Sequence, residues 1–410
     1  MSDVVMPQST VLEDEQKISY WTLVWQQFSK NKLAIFGLWC ILVLLAIAIY
    51  APVLASSKPF YVRIGAQVHY PFFSSLFDRN LYENGVDLFF NLQMFLFPIL
   101  LIMIFGRVLL FGHDFFEFGG RLMLAYGIVS VGFFFYHQFY PHQETYKDWV
   151  STVVEARKQG EFVESYWPLR DLSYRDTNLE GGHPQAPGQR HMLGTDKEGR
   201  DIFARMVYGT RISLTIGIIA VSIYIFIGIV LGALAGFFGG AWDLVISRAI
   251  EIMLCFPTFF LILTLSALIE NKSIFHVMLI IGFTRWPEVA RLVRAEFLKL
   301  KNMDYVQAAI ALGFSRGRVI FYHVLPNALG PVIVTAIFGI ASSILIESSL
   351  SFLGLGDLSA PSWGEILSQG RQEFKLWLIL APGMAIFFLV SVFNLVGEGL
   401  QDAMDPKLRR

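Results

Sequence analysis

Residues 304–327 read DYVQAAIALGFSRGRVIFYHVLPN. From Asp304 to Leu312 the pattern is a short helix with small residues, Ala308, Ala309 and Ala311, along one side. Gly313 stops it, because glycine readily enters the left-handed conformation that closes a helix. Phe314 to Val324 form a second segment carrying Arg316 and Arg318. Pro326 then restarts a helix that runs into the apolar stretch Ala328–Ile346. A helix-turn-helix at the foot of a membrane span can dock into a groove on a soluble partner. Its own residues do not name that partner.

The rest of the chain is membrane-like. Of 410 residues, 55% are hydrophobic, 15% aromatic and only 16% charged, against about 25% charged in a soluble domain. Mean hydropathy is +0.54. The net charge of -1 gives no reason to expect nucleic acid. Cys40 and Cys255 both lie in apolar runs without metal-ligand spacing, and read as core or lipid-buried residues.

The first long apolar run, Leu33–Leu54, can cross about 30 Å of hydrocarbon as a helix. It is longer than the apolar region of a secretory signal, so we read it as an uncleaved anchor. Lys30 and Lys32 precede it and the next basic residue is Lys58, which places residues 1–32 in the cytoplasm. Further spans are expected at Leu88–Phe105, Leu122–Phe139, Ile212–Phe238, Ile252–Ile269, Ala328–Ile346 and Leu376–Val396. An eighth, from Ile274, is expected to continue past Arg285 and Pro287 into the cytoplasm. Eight crossings put both termini inside. They also put Arg285, Arg291, Arg294, Lys299, Lys301, Arg316 and Arg318 on the same side as the tail residues Lys407, Arg409 and Arg410, as the positive-inside rule requires. The turn of the Leu88–Phe139 hairpin has Arg107 and Arg121 but also Asp114 and Glu117, so its charges do not orient it.

Two outer segments result, about 55–87 and 141–211. In the second, Gly181, Gly182, Pro184, Pro187 and Gly188 read as loop, and Trp149–Glu164 reads as an amphipathic surface helix. Gly228, Gly232 and Gly236 form a small-residue face that admits a close helix neighbour, more readily within the chain than between subunits.

No enzymatic constellation emerges. Gly194 to Asp201 has the glycine spacing of a phosphate loop, but Arg200 and Asp201 replace its Lys and hydroxyl residue, so nucleotide binding is rejected there. The eight histidines are scattered, and neither HExxH nor GxSxG occurs. Glu347, beside Ser348 and Ser349, is an intramembrane polar candidate: either a functional carboxyl or one that only packs helices near the outer interface.

The stretch at 304–327 resembles the cytoplasmic "EAA" loop of binding-protein-dependent ATP-binding-cassette (ABC) importers. The corresponding residues are Gln307-Ala308-Ala309, Gly313 and His323-Val324-Leu325-Pro326, with Gln307 in place of the Glu and His323 in place of an Ile. Gln keeps length and an acceptor, so docking is expected to survive. Leu193-Gly194-Thr195-Asp196 through Gly199-Arg200-Asp201, Tyr208 to Ser213, Phe256-Pro257, Ser349 to Gly356, Pro361-Ser362-Trp363-Gly364 and Asp402 to Pro406 are similar to the second, C-type permease of dipeptide and oligopeptide importers. Nickel importers share this permease type. The resemblance covers roughly 190–410 and the first anchor. Residues 55–190 depart from it as an enlarged outer insert, and Lys58-Pro59 with Val62-Arg63 resemble the microcin C-type peptide permeases.

The resemblance implies an all-α membrane protein, the transmembrane domain of a type I ABC importer, with a core of six helices (the first at 33–54, the rest within 191–410) plus an inserted two-helix hairpin at about 88–139. It implies a multi-pass subunit of the bacterial inner membrane working with a homologous second permease, two ATPase subunits, an extracytoplasmic peptide-binding protein and membrane lipid. ATP and magnesium belong to the ATPases, and this chain binds no cofactor or metal. Gln307, Ala308, Ala309, Gly313, Leu325 and Pro326, within a loop at 299–326, are expected to couple to the ATPases. Gly194, Thr195, Asp196, Gly199, Arg200, Asp201 and Trp363 are expected at an outer gate or a contact with the binding protein, with Asp196, Arg200 and Asp201 in an ion-pair network. The rival reading, a self-sufficient secondary transporter, would need charged pairs or broken helices near the midplane. Besides Glu347, only Arg248 and Glu251 approach that.

Overall fold

The computed structural model describes residues 20–111, 115–140, 147–178, 182–270, 272–357 and 360–405. Asp114, Gly181, Pro406, Lys407, Arg409 and Arg410, and most of the N-terminal segment, lie outside them. The chain starts with α1 (Tyr20–Phe28) and the first span, α2 (Lys32–Ile49). Asn31 caps α2 through its side-chain oxygen, which accepts from the Leu33 and Ala34 N–H groups at 3.1 Å each. An outer layer follows, made of α3 (Ala51–Leu54), β1 (Tyr61–Ile64), β2 (Gln67–His69) and α4 (Pro71–Ser75). The inserted hairpin is α5 (Gly85–Phe111) and α6 (Phe115–Phe139). The outer layer resumes with α7 (Trp149–Lys158) and β3 (Val163–Tyr166), which completes an antiparallel sheet in the order β2-β1-β3, with Val62 between His69 and Ser165.

The rest of the chain is helical: α8 (Ile202–Phe238), α9 (Gly240–Leu254), α10 (Thr258–Ala267), α11 (Ile274–Leu300), α12 (Asp304–Ala311), α13 (Arg316–Arg318), α14 (Leu325–Phe352), α15 (Trp363–Glu373) and α16 (Leu376–Met404). Among the described residues six helices are long and apolar enough to cross a membrane singly, and the bent pair α9–α10 makes a seventh. The expected eighth, α11, is one continuous helix through Arg285 and Pro287, and by composition it is not among those seven.

A seam of glycines sets the packing of the core. At Gly228 a Cβ would lie 2.6 Å from the Val289 side chain, at Gly232 2.6 Å from Ala290 O, and at Gly236 2.6 Å from the Phe297 Cβ. The small-residue face of α8 therefore receives α11 of the same chain. Since 228, 232 and 236 meet 289, 290 and 297 in rising order, the two helices are parallel. The chain between them must recross the membrane, and α9–α10 does this although bent by 79°. The single span expected at Ile252–Ile269 is thus two helices. Pro257, which has no N–H to donate, stands at the break. Gly217 and Gly339 admit α14 against α8, and Gly37 and Gly399 fit α2 to α16.

Other differences have local causes. The helix expected over Trp149–Glu164 ends at Lys158, where Gly160 (φ 78°) turns the chain and Glu161 N–H returns to Ala156 O at 3.0 Å. The residues that follow pair as β3. Pro326 does not restart a helix. A π-helical turn, Val319–Val324, joins α13 to α14 without a break, and Leu325 N–H reaches back to Ile320 O. This wider turn accommodates the missing donor of Pro326.

The hairpin is tied in by a buried arginine. Arg211 of α8, with no exposed surface, donates from Nε to Ala48 O (2.6 Å), from Nη1 to Asp87 Oδ1 (3.0 Å) and Asp87 O (3.3 Å), and from Nη2 to Asn91 Oδ1 (2.9 Å) and Ile49 O (3.3 Å). Tyr174 of the outer layer donates to Asp87 Oδ2 at 3.2 Å. Burial, with the Asp87 charge beside it, pushes the Tyr174 hydroxyl well above the usual tyrosine range, so it remains a donor. Within the hairpin Gln93 bridges Ser130 and Tyr126.

Removing Asp87 strands a charged guanidinium. Asp87→Ala should destabilise the purified protein by about 3–5 kcal/mol and lower its thermal midpoint in detergent, whereas Asp87→Asn, which keeps an acceptor, should lose less. Equal midpoints for wild type and Asp87→Ala would remove this role.

Candidate functional site

Two clusters sit at opposite ends of α8. At its N-terminal end the loop before α8 folds on its own glycines. Gly194 (φ 80°) and Gly199 (φ 77°) are left-handed, and a Cβ would lie 2.5 Å from Gln185 O and 2.3 Å from Asn178 O respectively. Asp196 is fully buried. Its Oδ1 accepts from the N–H groups of Glu198 and Arg200 (both 2.9 Å), and its Oδ2 from Arg200 Nε (2.7 Å) and Arg205 (3.2 Å). Thr195 Oγ1 accepts from Gln185 N–H at 2.8 Å. Asp201 caps α8 by accepting from Ala204 N–H (2.8 Å), and its other oxygen meets His191 Nδ1 at 2.8 Å.

The expected ion-pair network is therefore present for Asp196 and Arg200, while Asp201 serves a separate pair. The cluster continues beyond the residues expected from sequence. Arg205 reaches across to Glu365 on α15, which also receives Gln369. Trp363, 2% exposed, donates from Nε1 to Met206 O at 2.9 Å and lies against Gly209, where a Cβ would be 2.6 Å from its ring. Gly364 brings α15 onto α14, with a Cβ position 2.4 Å from Ser348 O. Glu347 is buried at that contact, accepting from Ser351 Oγ at 2.7 Å and from the side chains of Ser348 and Ser362. Gly194, Thr195, Asp196, Gly199, Arg200, Asp201, Trp363 and Glu347 thus belong to one region where α8, α14 and α15 meet. Arg205 and Glu365 join its parts. Their signal in the sequence was a charge in the first turns of an apolar helix and another beside Trp363.

At the C-terminal end of α8, α12 stands as an elbow. Gly313 (φ 80°) closes it, with Gly313 N–H bonded to Ile310 O (2.9 Å) and Phe314 N–H to Ala309 O (3.2 Å). Val306 and Ala309 are buried with Phe297, Leu300, Val319 and Val324, so α12 is packed on the ends of α11 and α14. Ala308 is exposed, and Gln307 Nε2 donates to Lys301 O at 2.7 Å. Lys301 in turn donates to Gly236 O (3.0 Å), holding the last turn of α8. Beside the elbow is a groove of about 390 Å³ lined by Gln307, Ile310, Phe314 and Arg316 among others. Leu325 and Pro326 lie behind it at the start of α14.

These features describe a polytopic membrane protein with a tightly bonded cluster at one end of α8 and an exposed elbow at the other. Comparison with known proteins places it further. The family described as the inner membrane component of binding-protein-dependent transport systems matches residues 228–410, and the N-terminal transmembrane domain of oligopeptide transport permease C matches 19–73. The chain is 41% identical over 244 residues to the dipeptide transport system permease protein DppC of Alkalihalophilus pseudofirmus, covering 59% of this chain and 80% of that one. It is 40% identical over 243 residues to the oligopeptide permease OppC of Haemophilus influenzae, covering 58% and 78%. With the inner membrane ABC transporter permease YejE of Escherichia coli it shares 30% identity over 385 residues, 93% of this chain and 96% of that one. That match is too long to omit residues 55–190, so the insert region is shared with that relative. The chain belongs to the family of binding-protein-dependent ABC transport permeases; it is a transport subunit and not a catalyst.

Arg205 and Glu365 should be strongly coupled. In a double-mutant cycle with Arg205→Met and Glu365→Gln, unfolding free energies should show about 1–3 kcal/mol of interaction. Strict additivity would mean that the pair adds nothing to the hold of α15 on α8.

Proposed function

We propose that this chain is one of two permease subunits of a peptide-importing ABC transporter, and that its elbow takes the stroke of separate ATPase subunits. The observation that carries the reading is α8 itself. One helix of 37 residues, about 55 Å long at 1.5 Å per residue, is clamped at its inner end by the elbow through Lys301 and locked at its outer end into the Asp196–Arg205–Glu365 cluster. The dipeptide and oligopeptide relatives support a peptide as cargo.

In this reading Gln307, Ala308, Ala309 and Gly313 present the docking surface and Leu325 and Pro326 carry it into α14. ATP and magnesium act on the partner subunits, with both termini and the elbow in the cytoplasm. The exposed Ile310, Leu312, Tyr305 and Tyr322 supply apolar surface to a groove on that partner. Motion of α12 reaches α11 and α14 through the shared apolar cluster. At the outer face the loop that Asp196 and Arg200 hold in shape, exposed at Lys197 and Glu198, meets the binding protein, and the buried Trp363 helps close the path, so the two conformations differ in whether α15 stays latched to α8.

Gly313→Asp tests the elbow. A Cβ there meets nothing within 4 Å, so inside the chain the change costs only the left-handed backbone, about 1–2 kcal/mol. The variant should reach the membrane at normal levels and lose peptide import. The wild-type assembly, purified by a tag on this chain, should bring an ATPase and a second permease with it, and the variant should lose the ATPase. Normal uptake by Gly313→Asp, or a wild-type chain that copurifies alone, would defeat the reading.

A further inference from the structure

α11 carries charge where a span is usually apolar, and the depth of that charge can be read from its neighbours. The glycine seam, continued by Gly282 against Ile223, holds α11 along α8, so α11 crosses wherever α8 does. At 1.5 Å per residue Arg285 lies about 16 Å from Ile274 at the start of α11 and about 14 Å from Arg294, which pairs with Asp243 of α9 at 2.9 Å. Ser342, its partner on α14, lies about 15 Å from Phe352 at the end of that helix, and Tyr224 on α8 lies about 20 Å from Arg211. Measured against about 30 Å of hydrocarbon, all three helices put Arg285 near the middle of the membrane.

Arg285 is far less well answered there than Arg211. Its Nη1 donates to Ser342 Oγ at 2.9 Å, its Nη2 meets Glu288 Oε2 at 3.4 Å, and its guanidinium carbon lies 5.4 Å from the centre of the Tyr224 ring. Nε has no partner among the described residues. Glu288, one turn further on, keeps 49% of its side chain exposed, and Arg291 is exposed on the same helix face. A half-exposed carboxylate at this depth is incompatible with hydrocarbon. By contrast Leu124, Ile128 and Phe135 on the hairpin are exposed and apolar. This face of α11 therefore borders water. It sets two signs of charge side by side, a guanidinium with donors to spare and a long ion pair that opens easily. Such a place suits a zwitterion in passage, because a transit site must bind weakly enough to release.

We propose that Arg285 and Glu288 form a two-signed station on the wall of a water-filled path, where Arg285 takes a carboxylate of the passing peptide and Glu288 an ammonium. That the cargo is a peptide rests on the function proposed above. Ser342 ties the station to α14, and α12 is packed on the ends of α11 and α14. The elbow and the station thus belong to the same two helices.

The test uses the intact assembly in proteoliposomes with its binding protein. For labelling, this chain carries Cys40→Ser and Cys255→Ser, and the label is read on this chain after denaturation. Glu288→Cys should react with a membrane-impermeant thiosulfonate at one stage of the ATP cycle, and Leu124→Cys should not. In uptake from an equal mixture of the tripeptides Gly-Glu-Gly and Gly-Lys-Gly, Arg285→Gln should lower the glutamyl-to-lysyl ratio about threefold or more, and Glu288→Gln should raise it by as much. The binding protein is the same throughout, so its own preference cancels, and a purely structural role would lower both peptides together. Unchanged ratios in both variants would overturn the station. So would a Glu288→Cys thiol sealed with and without ATP in an assembly that imports peptide, which would place the pair inside a helix interface and leave the import reading intact. A labelled thiol in an assembly that imports no peptide would overturn the peptide-import reading and the cargo with it, while the water-facing wall stands.

Discussion

Arg211 places all five of its N–H donors on protein acceptors, and one of those acceptors is the carboxylate of Asp87. A guanidinium at the head of a membrane helix has to be answered in this way, since an unanswered charge in such surroundings costs several kcal/mol. The answer comes from three directions. The end of α2 supplies the Ala48 and Ile49 carbonyls, the hairpin supplies Asp87 and Asn91, and the outer layer supplies Tyr174 to hold Asp87 in turn. The insert is thus no appendage on the surface of the core. It carries the counter-charge for an arginine that the core itself contributes, and the Tyr208–Tyr174 and Tyr208–Tyr82 ring contacts pack around the pair.

This fixes the outer end of α8, and the glycine seam fixes its length. Where Gly228, Gly232 and Gly236 meet α11, the backbones approach as closely as side chains of any other size would forbid. Two parallel helices held this closely move as one body, because interior contacts of this kind are close-packed and do not deform continuously. Lys301, donating to Gly236 O from the C-terminal end of α11, joins that body to the elbow. The aromatic and apolar residues left on the far side of the hairpin, such as Met123, Leu124, Ile128 and Phe135, are exposed and face outward from the bundle, as a lipid-facing surface would.

Much of this was legible because hydrocarbon imposes a long, simple signal. A run such as Leu376–Val396 can be read as a span without knowing what it packs against, and the glycine face of α8 announced a close neighbour by composition alone. The elbow was legible for a local reason: Gly313 is the residue that a left-handed helix end requires. What escaped was whatever depended on long-range pairing. Asp87 and Arg211 fell at the edges of the expected spans and read as loop charges, because their pairing joins residues 124 positions apart. Arg205 and Glu365 were passed over for the same reason. The break at Pro257 and the unbroken passage through Pro326 show the limit of reading proline locally. At Pro257 the helix stops, while at Pro326 a widened turn upstream removes the conflict. Strands β1 and β3 lie almost a hundred residues apart in the chain, and neither has enough alternation to declare itself.

The outer cluster also constrains how any rearrangement must run. With α15 seated on α8, separating them breaks the Arg205–Glu365 pair and the Trp363 bond to Met206 O, and exposes the face of Gly209 that the indole covers. Arg205 would then retain only Asp196, which already serves Arg200. Such a step is unfavourable unless contacts elsewhere favour the separated state by a comparable amount, since a ligand shifts an equilibrium only by its differential affinity for the two states. A surface able to supply that difference is one the fold leaves exposed: the apolar elbow around Ile310 and Leu312, attached to the far end of the same helix. A lock at one end of a stiff helix, with open apolar surface at the other, is the arrangement in which binding at a distance can release the lock without touching it.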